Sequence, residues 1–151
     1  LNMGAYYHIH DENERIQTIK ESLRVLKPDG LFFLSYINRN AVFINHLMQA
    51  PNKIDECKQV LDDGYNGHFY TSKFREVEHI IRNRFPTIIK ISDAGVDGLI
   101  YPLATVLDSM TIEQFESYLA YNICVCEEPS ISGHSMHGLY IAKNSRLILQ
   151  N

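Results

Sequence analysis

Three adjacent side chains near the start of the sequence carry groups suited to acid–base chemistry or binding. Tyr6 and Tyr7 offer hydroxyls on apolar rings, and His8 offers an imidazole. Because an imidazole changes its charge near neutral pH, His8 is a candidate general base, and Tyr7 beside it is a second candidate catalytic group. In the alternative interpretation, Tyr6 and Tyr7 pack their rings and expose their hydroxyls to water, and His8 caps a helix or forms a hydrogen bond with a backbone carbonyl.

A second set of polar side chains comes at the end of an apolar run. Tyr36, Asn38 and Arg39 lie there, and the planar guanidinium of Arg39 suits a carboxylate or a phosphate. Open α/β sheets bind ligands beyond the carboxyl ends of their strands, so we predict these three as substrate-binding residues. Tyr6 and His134 are assigned to the same role. A solvated Arg39 beyond the strand is the alternative interpretation.

Two cysteines and two histidines in the last third of the sequence could form a zinc site. Cys124, Cys126, His134 and His137 make up a Cys₂His₂ set. Zinc sites of that composition usually space their cysteines two to four apart, and the spacing of Cys124 and Cys126 is tighter than usual. We therefore favour a helix end and a loop, and we predict no metal. The odd total of three cysteines also argues against a disulfide framework.

The elements that position these residues begin with a predicted helix over residues 12–27. Its apolar side chains recur every three or four residues, so that one stripe faces a core. The stripe consists of Ile16, Ile19, Leu23 and Leu26. Asp11, followed three residues later by Glu14, supplies a start signal, and Pro28 ends the helix.

A type I turn over residues 27–30 and a buried strand over residues 31–37 follow this helix. Proline at the second position and glycine at the fourth suit the turn. The strand is apolar except for Ser35, as expected for a strand covered on both faces. We predict that it is central and runs parallel to a strand whose tail is residues 1–4. Helix, turn and strand together predict an α/β fold with a parallel sheet.

Residues 41–69 contain a predicted cap over this edge of the sheet. The pattern predicts a short helix over residues 41–49, ended by Pro51. A polar stretch with a helix around residues 54–61 follows, and we expect it to form a lid or acceptor loop.

The rest of the sequence predicts two more helices and two more strands. Thr71 or Ser72 is expected to cap a helix with Phe74, Val77, Ile80 and Ile81 as its buried stripe. A strand over residues 87–92 and a loop over residues 93–98 come next. Thr111 and Gln114 form a capping box for a helix over residues 111–122 that buries Ile112, Phe115 and Leu119. The closing strand, residues 137–143, should pair antiparallel with residues 87–92.

Composition and charge exclude several classes of protein. The 151 residues carry a formal net charge of −4 at pH 7, whereas proteins that bind nucleic acids or anionic membranes carry clusters of Lys and Arg. We therefore expect neither as a partner. There is no apolar run of about 18 residues and no signal-like start, so the cytoplasm is the expected location.

The junction at residues 21–30, Glu-Ser-Leu-Arg-Val-Leu-Lys-Pro-Asp-Gly, resembles a segment of a known family. Class I S-adenosylmethionine-dependent methyltransferases carry E-x-x-R-V-L-K-P-G-G between a helix and a strand, and the chain departs from it at Asp29. In that family a stretch ending G-x-x-Y-H closes the fourth strand beside the methyl donor, and residues 4–8, Gly-Ala-Tyr-Tyr-His, match that pattern. Residues 126–130 and 137–143 also resemble the end of the small-molecule members.

The resemblance implies methyl transfer from S-adenosylmethionine to a small molecule. It assigns Met3, Gly4, Tyr7 and His8 to contacts with this donor. It also implies a Rossmann-like sheet of parallel strands with a final antiparallel strand.

Two elements that hold the donor in this family are missing from the sequence. Its eight glycines are dispersed and never form G-x-G before a helical pattern, and no acidic residue stands at the end of a second strand. We therefore expect residues 1–151 to be a single partial domain, with helical insertions at about 40–70 and 99–135. It would be the C-terminal, acceptor-side half of a longer protein and inactive alone.

A second hypothesis assigns the chain to another class of protein. The chain would be a non-catalytic α/β interaction module that forms a homodimer through its exposed sheet edge. The residue patterns do not identify the methyl acceptor.

Overall fold

A computed structural model describes residues 1–144 as a mixed α/β unit with a small antiparallel sheet. The strands are β1 (Leu31–Ile37), β2 (Ile88–Gly95) and β3 (His137–Asn144). Their order is β1-β3-β2, and β3 pairs antiparallel with both neighbours, so that β1 and β2 run in the same direction. The predicted antiparallel pairing of the last two strands is confirmed. Residues 145–151 of the predicted domain lie outside the described residues.

Eight α-helices and one 3₁₀ helix surround the sheet within residues 1–144. The helices are α1 (Ala5–His8), α2 (Glu12–Arg24), α3 (Arg39–Gln49), a 3₁₀ helix (Pro51–Cys57), α4 (Lys58–Asp63), α5 (Glu76–Arg84), α6 (Ile100–Leu107), α7 (Ile112–Val125) and α8 (Pro129–Ser132). The stretch between β2 and β3 therefore holds three helices, where the sequence predicted one. None of the described helices has the length and apolar character needed to cross a bilayer.

The predicted start of α2 is confirmed, whereas the turn after it differs in type. The side chain of Asp11 accepts a hydrogen bond from the backbone N–H of Glu14 at 3.0 Å. The turn is closed by a bond of 3.0 Å from the Gly30 N–H to the Lys27 carbonyl. Asp29 has φ of +59°, in the left-handed region, where a type I turn needs a negative φ. The geometry is therefore closer to type II.

The first residues of the chain pair with β1 in the predicted parallel sense, but over one bridge only. The Asn2 N–H donates to the Phe33 carbonyl at 2.7 Å, and the Ser35 N–H donates to the Asn2 carbonyl at 3.0 Å. Residues 1–4 thus add a single parallel bridge beside β1, and α2 connects the two in the chain.

One face of the sheet carries the main core. Phe32, Leu34 and Tyr36 of β1 point to this face, with Tyr140 and Ala142 beside them. Side chains from the helices complete the cluster: Tyr6, Ile19, Leu23, Tyr70, Val77 and Ile81.

The opposite face is only partly covered. Leu31 and Ile89, which share a row across the sheet, are each 48% exposed. Phe33 is half-buried, whereas Ser35 and Ile37 are buried. The expectation that β1 is covered on both faces therefore holds at its carboxyl end and fails at its start.

Two helices differ from their predictions in ways that burial explains. Helix α5 begins at Glu76, because Thr71 and Ser72 are buried in the loop before it and Ser72 bridges to Asn38. The capping box of α7 is present, with Thr111 and Gln114 in the predicted roles. Its predicted buried stripe is wrong, since no described layer covers that side of the helix. The exposed fractions are 75% for Ile112, 36% for Phe115 and 37% for Leu119.

Candidate functional site

A small apolar cluster lies at the carboxyl end of β1. Ile37, the last residue of the strand, is buried with Ala41 and Met136. Tyr7, Val42 and Phe69 pack against this group and are partly exposed. The cluster brings α1, α3 and the loop before β3 to one edge of the sheet. This is the edge at which the sequence places its candidate ligand-binding residues.

Three aromatic rings cover that cluster, and we call Tyr7, His8 and Phe69 the aromatic surface. The ring centroids of His8 and Phe69 are 4.9 Å apart, and those of Tyr7 and Phe69 are 5.8 Å apart, both edge to face. The Tyr7 hydroxyl donates to the Met3 carbonyl at 3.3 Å. The Tyr70 N–H donates to the Tyr7 carbonyl at 2.8 Å, which ties α1 to the loop that carries Phe69.

The other two predicted donor-binding residues are accessible beside this surface. Met3 is 51% exposed and lines an open cavity of about 650 Å³ together with residues of α2. A Cβ atom at Gly4 would have the Tyr7 hydroxyl, at 3.8 Å, as its nearest contact. The backbone at Gly4 is therefore accessible to a ligand. The structure thus brings Met3, Gly4, Tyr7 and His8 together on one accessible surface.

Tyr6 and Tyr36, by contrast, lie inside the core. Tyr6 has no exposed surface, and burial, with a contribution from Glu76, raises its pKa to about 12. Tyr36 is 2% exposed and donates its hydroxyl proton to Asp93 at 2.7 Å. Burial, followed by the Asp93 charge and hydrogen bond, raises the pKa of Tyr36. Both are packed core side chains that stabilise this edge of the sheet.

Asn38 and Arg39 are also buried, and each fixes a loop. The Asn38 amide donates to the carbonyls of Ser132 and Ser135 at 2.9 and 2.6 Å. The Arg39 guanidinium donates to the Thr71 carbonyl at 3.2 and 2.9 Å and to the Leu61 carbonyl at 3.0 Å. Because these donors bind backbone carbonyls of the chain itself, Asn38 and Arg39 stabilise the loops at this edge. We therefore leave both residues out of the proposed ligand site.

His134 lies at a separate, apolar cavity of about 250 Å³ between α3 and α6. Its Nδ1 is 3.0 Å from the Ser130 carbonyl, and the side chain is exposed. The cavity is lined mainly by Ala41, Ile44, Leu99, Tyr101, Pro102 and Leu103. A substrate contact by His134 stays a prediction.

The predicted lid region encloses a third cavity, of about 390 Å³. It lies between α3, the 3₁₀ helix, α4 and the loop at residues 65–67. Two side chains with buried polar atoms line it: His46, whose Nε2 has no hydrogen-bond partner among the described residues, and Cys57. The ring of Tyr65, at its rim, is 3.8 Å from that of His10, so the region is tied to the start of α2.

Two side chains of the zinc alternative, Cys126 and His137, make other contacts. All three cysteines are free, and the Cys126 thiol donates to the Ile123 carbonyl at 3.2 Å. His137 pairs with Asp97. Among residues 1–144 there is no group of three or more side chains suited to holding a metal ion.

Sequence reasoning missed two residues at this edge, Phe69 and Asp97. Phe69 joins the aromatic surface from a loop far along the chain, and no local pattern indicates that contact. Asp97 comes two residues after β2, at the carboxyl end of a strand that runs in the same direction as β1. That position was a usable signal, but the predicted strand ended too early to reveal it.

Comparison of the chain with protein-family models and with curated proteins found no match.

Proposed function

We propose that this chain forms the acceptor-side half of an S-adenosylmethionine-dependent methyltransferase that acts on a small molecule. The observation that carries the proposal is the sheet topology. Asn2 bridges parallel to β1, and the last strand of the chain lies antiparallel between β1 and β2. The sequence resemblance implied this combination of parallel strands and a final antiparallel strand, so local motif and topology support the same interpretation.

The accessible surface at the sheet edge fits the donor in part. Gly4 leaves backbone open to a ligand, and the partly exposed rings of Tyr7 and His8 offer flat apolar surface with polar atoms at its margin. The donor supplies a methyl group already activated by a sulfonium centre. The residues of the chain therefore have to hold the acceptor in line with that methyl group and exclude water.

The donor site formed by this chain is incomplete. A glycine-rich loop and an acidic residue for the ribose hydroxyls are both missing from residues 1–151. We therefore propose that the chain transfers methyl groups only together with residues that supply those two elements.

A direct test uses the product of the full open reading frame that encodes this chain, which we call the extended protein. The extended protein is incubated with S-adenosylmethionine carrying a tritiated methyl group and with a small-molecule extract of the cells that produce it. We expect label in extracted small molecules, and less label with Gly4→Val, because a branched side chain would cover the open backbone. The matched control is Ala120→Val, at an exposed position of α7 that belongs to none of the cavities or surfaces described above. Label that stays entirely in the donor would contradict the proposal.

The interaction-module alternative also has an observation in its favour. Strand β2 forms one edge of the described sheet, and Ile89 and Ile91 on it are 48% and 52% exposed. An apolar strand edge favours pairing with another chain. Sedimentation of the chain decides this point: a dimer that Ile91→Lys converts to monomer supports association through this edge, and a monomer at all concentrations contradicts it.

A further inference from the structure

A histidine–aspartate pair lies at the same sheet edge; the sequence indicated His137 only as a ligand of the disfavoured zinc site and did not indicate Asp97. His137 is the first residue of β3 and lies directly opposite Ile37, the last residue of β1. Its Nδ1 is 2.8 Å from a carboxylate oxygen of Asp97. The Asp97 side chain is only 11% exposed, whereas that of His137 is 38% exposed. A buried carboxylate thus faces an imidazole that is open to solvent.

The pair is held by a network that leaves little freedom to Asp97. The backbone N–H of His137 lies 3.3 Å from both carboxylate oxygens. The buried Ser135 hydroxyl accepts from the N–H groups of Asp97 and Gly98, each at 3.0 Å, and donates to the His137 carbonyl at 2.9 Å. The carboxylate is therefore positioned before any ligand arrives, as catalytic groups require.

This geometry determines which nitrogen of His137 accepts a proton. A carboxylate accepts hydrogen bonds and donates none, so the Nδ1 of His137 must carry a proton. In the neutral ring the lone pair is then on Nε2, for which the described residues provide no hydrogen-bond partner. Orientation of a histidine by a buried carboxylate, with the second nitrogen free, is the arrangement of a general base.

The charged group that acts on His137 is Asp97. Its hydrogen bond and its charge raise the pKa of His137, against the opposing effect of burial. From α7, Tyr118 lies within electrostatic reach of Asp97, and burial raises the pKa of that phenol. A base with a raised pKa gains driving force for proton abstraction.

The pair is a neighbour of the proposed ligand surface. Ile37, opposite His137 on the adjacent strand, packs in one cluster with Met136, Tyr7 and Phe69. We propose that His137, oriented by Asp97, is the general base of the acceptor site and that the acceptor is a small molecule with a phenol-like hydroxyl. This inference rests on the proposed methyl transfer. Such a base serves a hydroxyl acceptor, whose oxygen must lose its proton as the bond to the methyl carbon forms, and the Tyr7 and Phe69 rings beside it suit an aromatic acceptor.

The proton and electron balance is simple. As the acceptor oxygen forms its bond to the methyl carbon, the carbon–sulfur bond of the donor breaks and its electron pair stays on sulfur. The hydroxyl proton moves to Nε2 of His137. The products are a methyl ether and S-adenosylhomocysteine, and the imidazolium then releases its proton to water.

The first experiment is independent of turnover. Long-range proton–nitrogen NMR of the histidine rings reports the tautomer and the pKa of His137 in the 151-residue chain. We expect the Nδ1–H tautomer at high pH and a pKa above the usual 6.5 or so that Asp97→Asn lowers. An Nε2–H tautomer, or a pKa that Asp97→Asn leaves unchanged, would overturn the inference.

The second experiment measures methyl transfer by the extended protein, with catechol, phenol and tyramine as probes and labelled S-adenosylmethionine as donor. We expect His137→Gln to lower kcat by roughly 10²- to 10⁴-fold with an unchanged Kd for the donor. Raising the pH until the phenol ionises by itself should restore much of that loss. His79→Gln, on the exposed side of α5, is the matched control and should leave the rate unchanged.

The outcomes separate this inference from the proposed function. Donor binding with equal rates for wild type and His137→Gln overturns the base and leaves methyl transfer in place. Donor binding without any labelled ether overturns the hydroxyl class. No donor binding by the extended protein overturns the proposed function and the inference with it. If His137→Gln does not fold, Asp97→Asn serves instead, because its amide oxygen can still accept from Nδ1, and a pH–rate profile that it does not shift overturns the inference.

Discussion

A hydrogen bond from the Tyr36 hydroxyl to Asp93 joins the side chains of β1 and β2, and it shows how a polar residue at a strand end becomes structural. The Tyr36 ring lies against Gly138 of β3, where any Cβ would collide with it, and so reaches across the middle strand to Asp93. Burial raises the pKa of Asp93, and the hydrogen bond from Tyr36 opposes that rise. The carboxylate therefore depends on this donor.

We expect Tyr36→Phe to lower the free energy of unfolding by about 1–3 kcal/mol at pH 7, because it leaves a buried carboxylate without its donor. A raised folded-state pKa means that folding favours the protonated acid, so stability falls as the pH rises through that pKa. The loss should therefore shrink at acidic pH, where Asp93 is protonated. Urea unfolding at both pH values measures it. Tyr101→Phe, at an exposed ring, is the control, and equal losses for the two variants would contradict the role of Tyr36.

His137 provides a prediction of opposite sign. Its pKa is raised in the folded state, so its contribution to stability is complete below the unfolded pKa of about 6.5 and is lost as the pH rises through the folded pKa. His137→Gln should cost more stability at pH 5.5 than at pH 8.5. The same substitution in an Asp97→Asn background should cost equal amounts at both. Denaturant unfolding checks this, and a cost that does not vary with pH in the wild-type background would show that the ion pair contributes nothing.

At the scale of elements, local signals predicted the boundaries of several elements well, and distant contacts decided the rest. Asp11 and Thr111 cap the helices that the sequence predicted, because a cap depends only on residues within one turn. The buried side of α7 was predicted wrongly, since apolar spacing reveals a stripe but not whether another layer covers it. The predicted burial of Phe74 is wrong for the same reason, because this residue has the spacing of a core residue and is nevertheless 39% exposed.

Strand β1 gives the sharpest test at this scale. The apolar run predicted burial on both faces, whereas Phe32 is 1% exposed and its neighbour Phe33 is half-buried on the other face. We expect Phe32→Ala to cost about 3–5 kcal/mol of unfolding free energy, as removal of a buried ring does. The chemically identical change at Phe33 should cost clearly less. Thermal or urea unfolding compares the pair, and equal costs would mean that a further layer covers Phe33.

At the scale of the whole molecule, sequence reasoning predicted the mixed α/β class and the direction of the last strands, and it predicted the candidate site only in part. Met3, Gly4, Tyr7 and His8 meet on one surface because they are neighbours in the chain. Phe69 and the pair of Asp97 with His137 reach the same edge from distant segments. Such contacts depend on strand order, which residue patterns in a single sequence do not determine.

The second face of the sheet is partly open, as is one side of α7, and both expose apolar side chains.

Calorimetric titration with S-adenosylmethionine tests the central claim, that this chain is the acceptor-side half of a methyltransferase. For residues 1–151 alone we expect a Kd weaker than about 1 mM, less than about 4 kcal/mol of binding, because the glycine-rich loop and the ribose-binding acid are missing. The same titration of the extended protein should give a micromolar Kd. A micromolar isotherm for residues 1–151 would contradict the incomplete donor site, and an extended protein that binds no donor would contradict the methyltransferase itself.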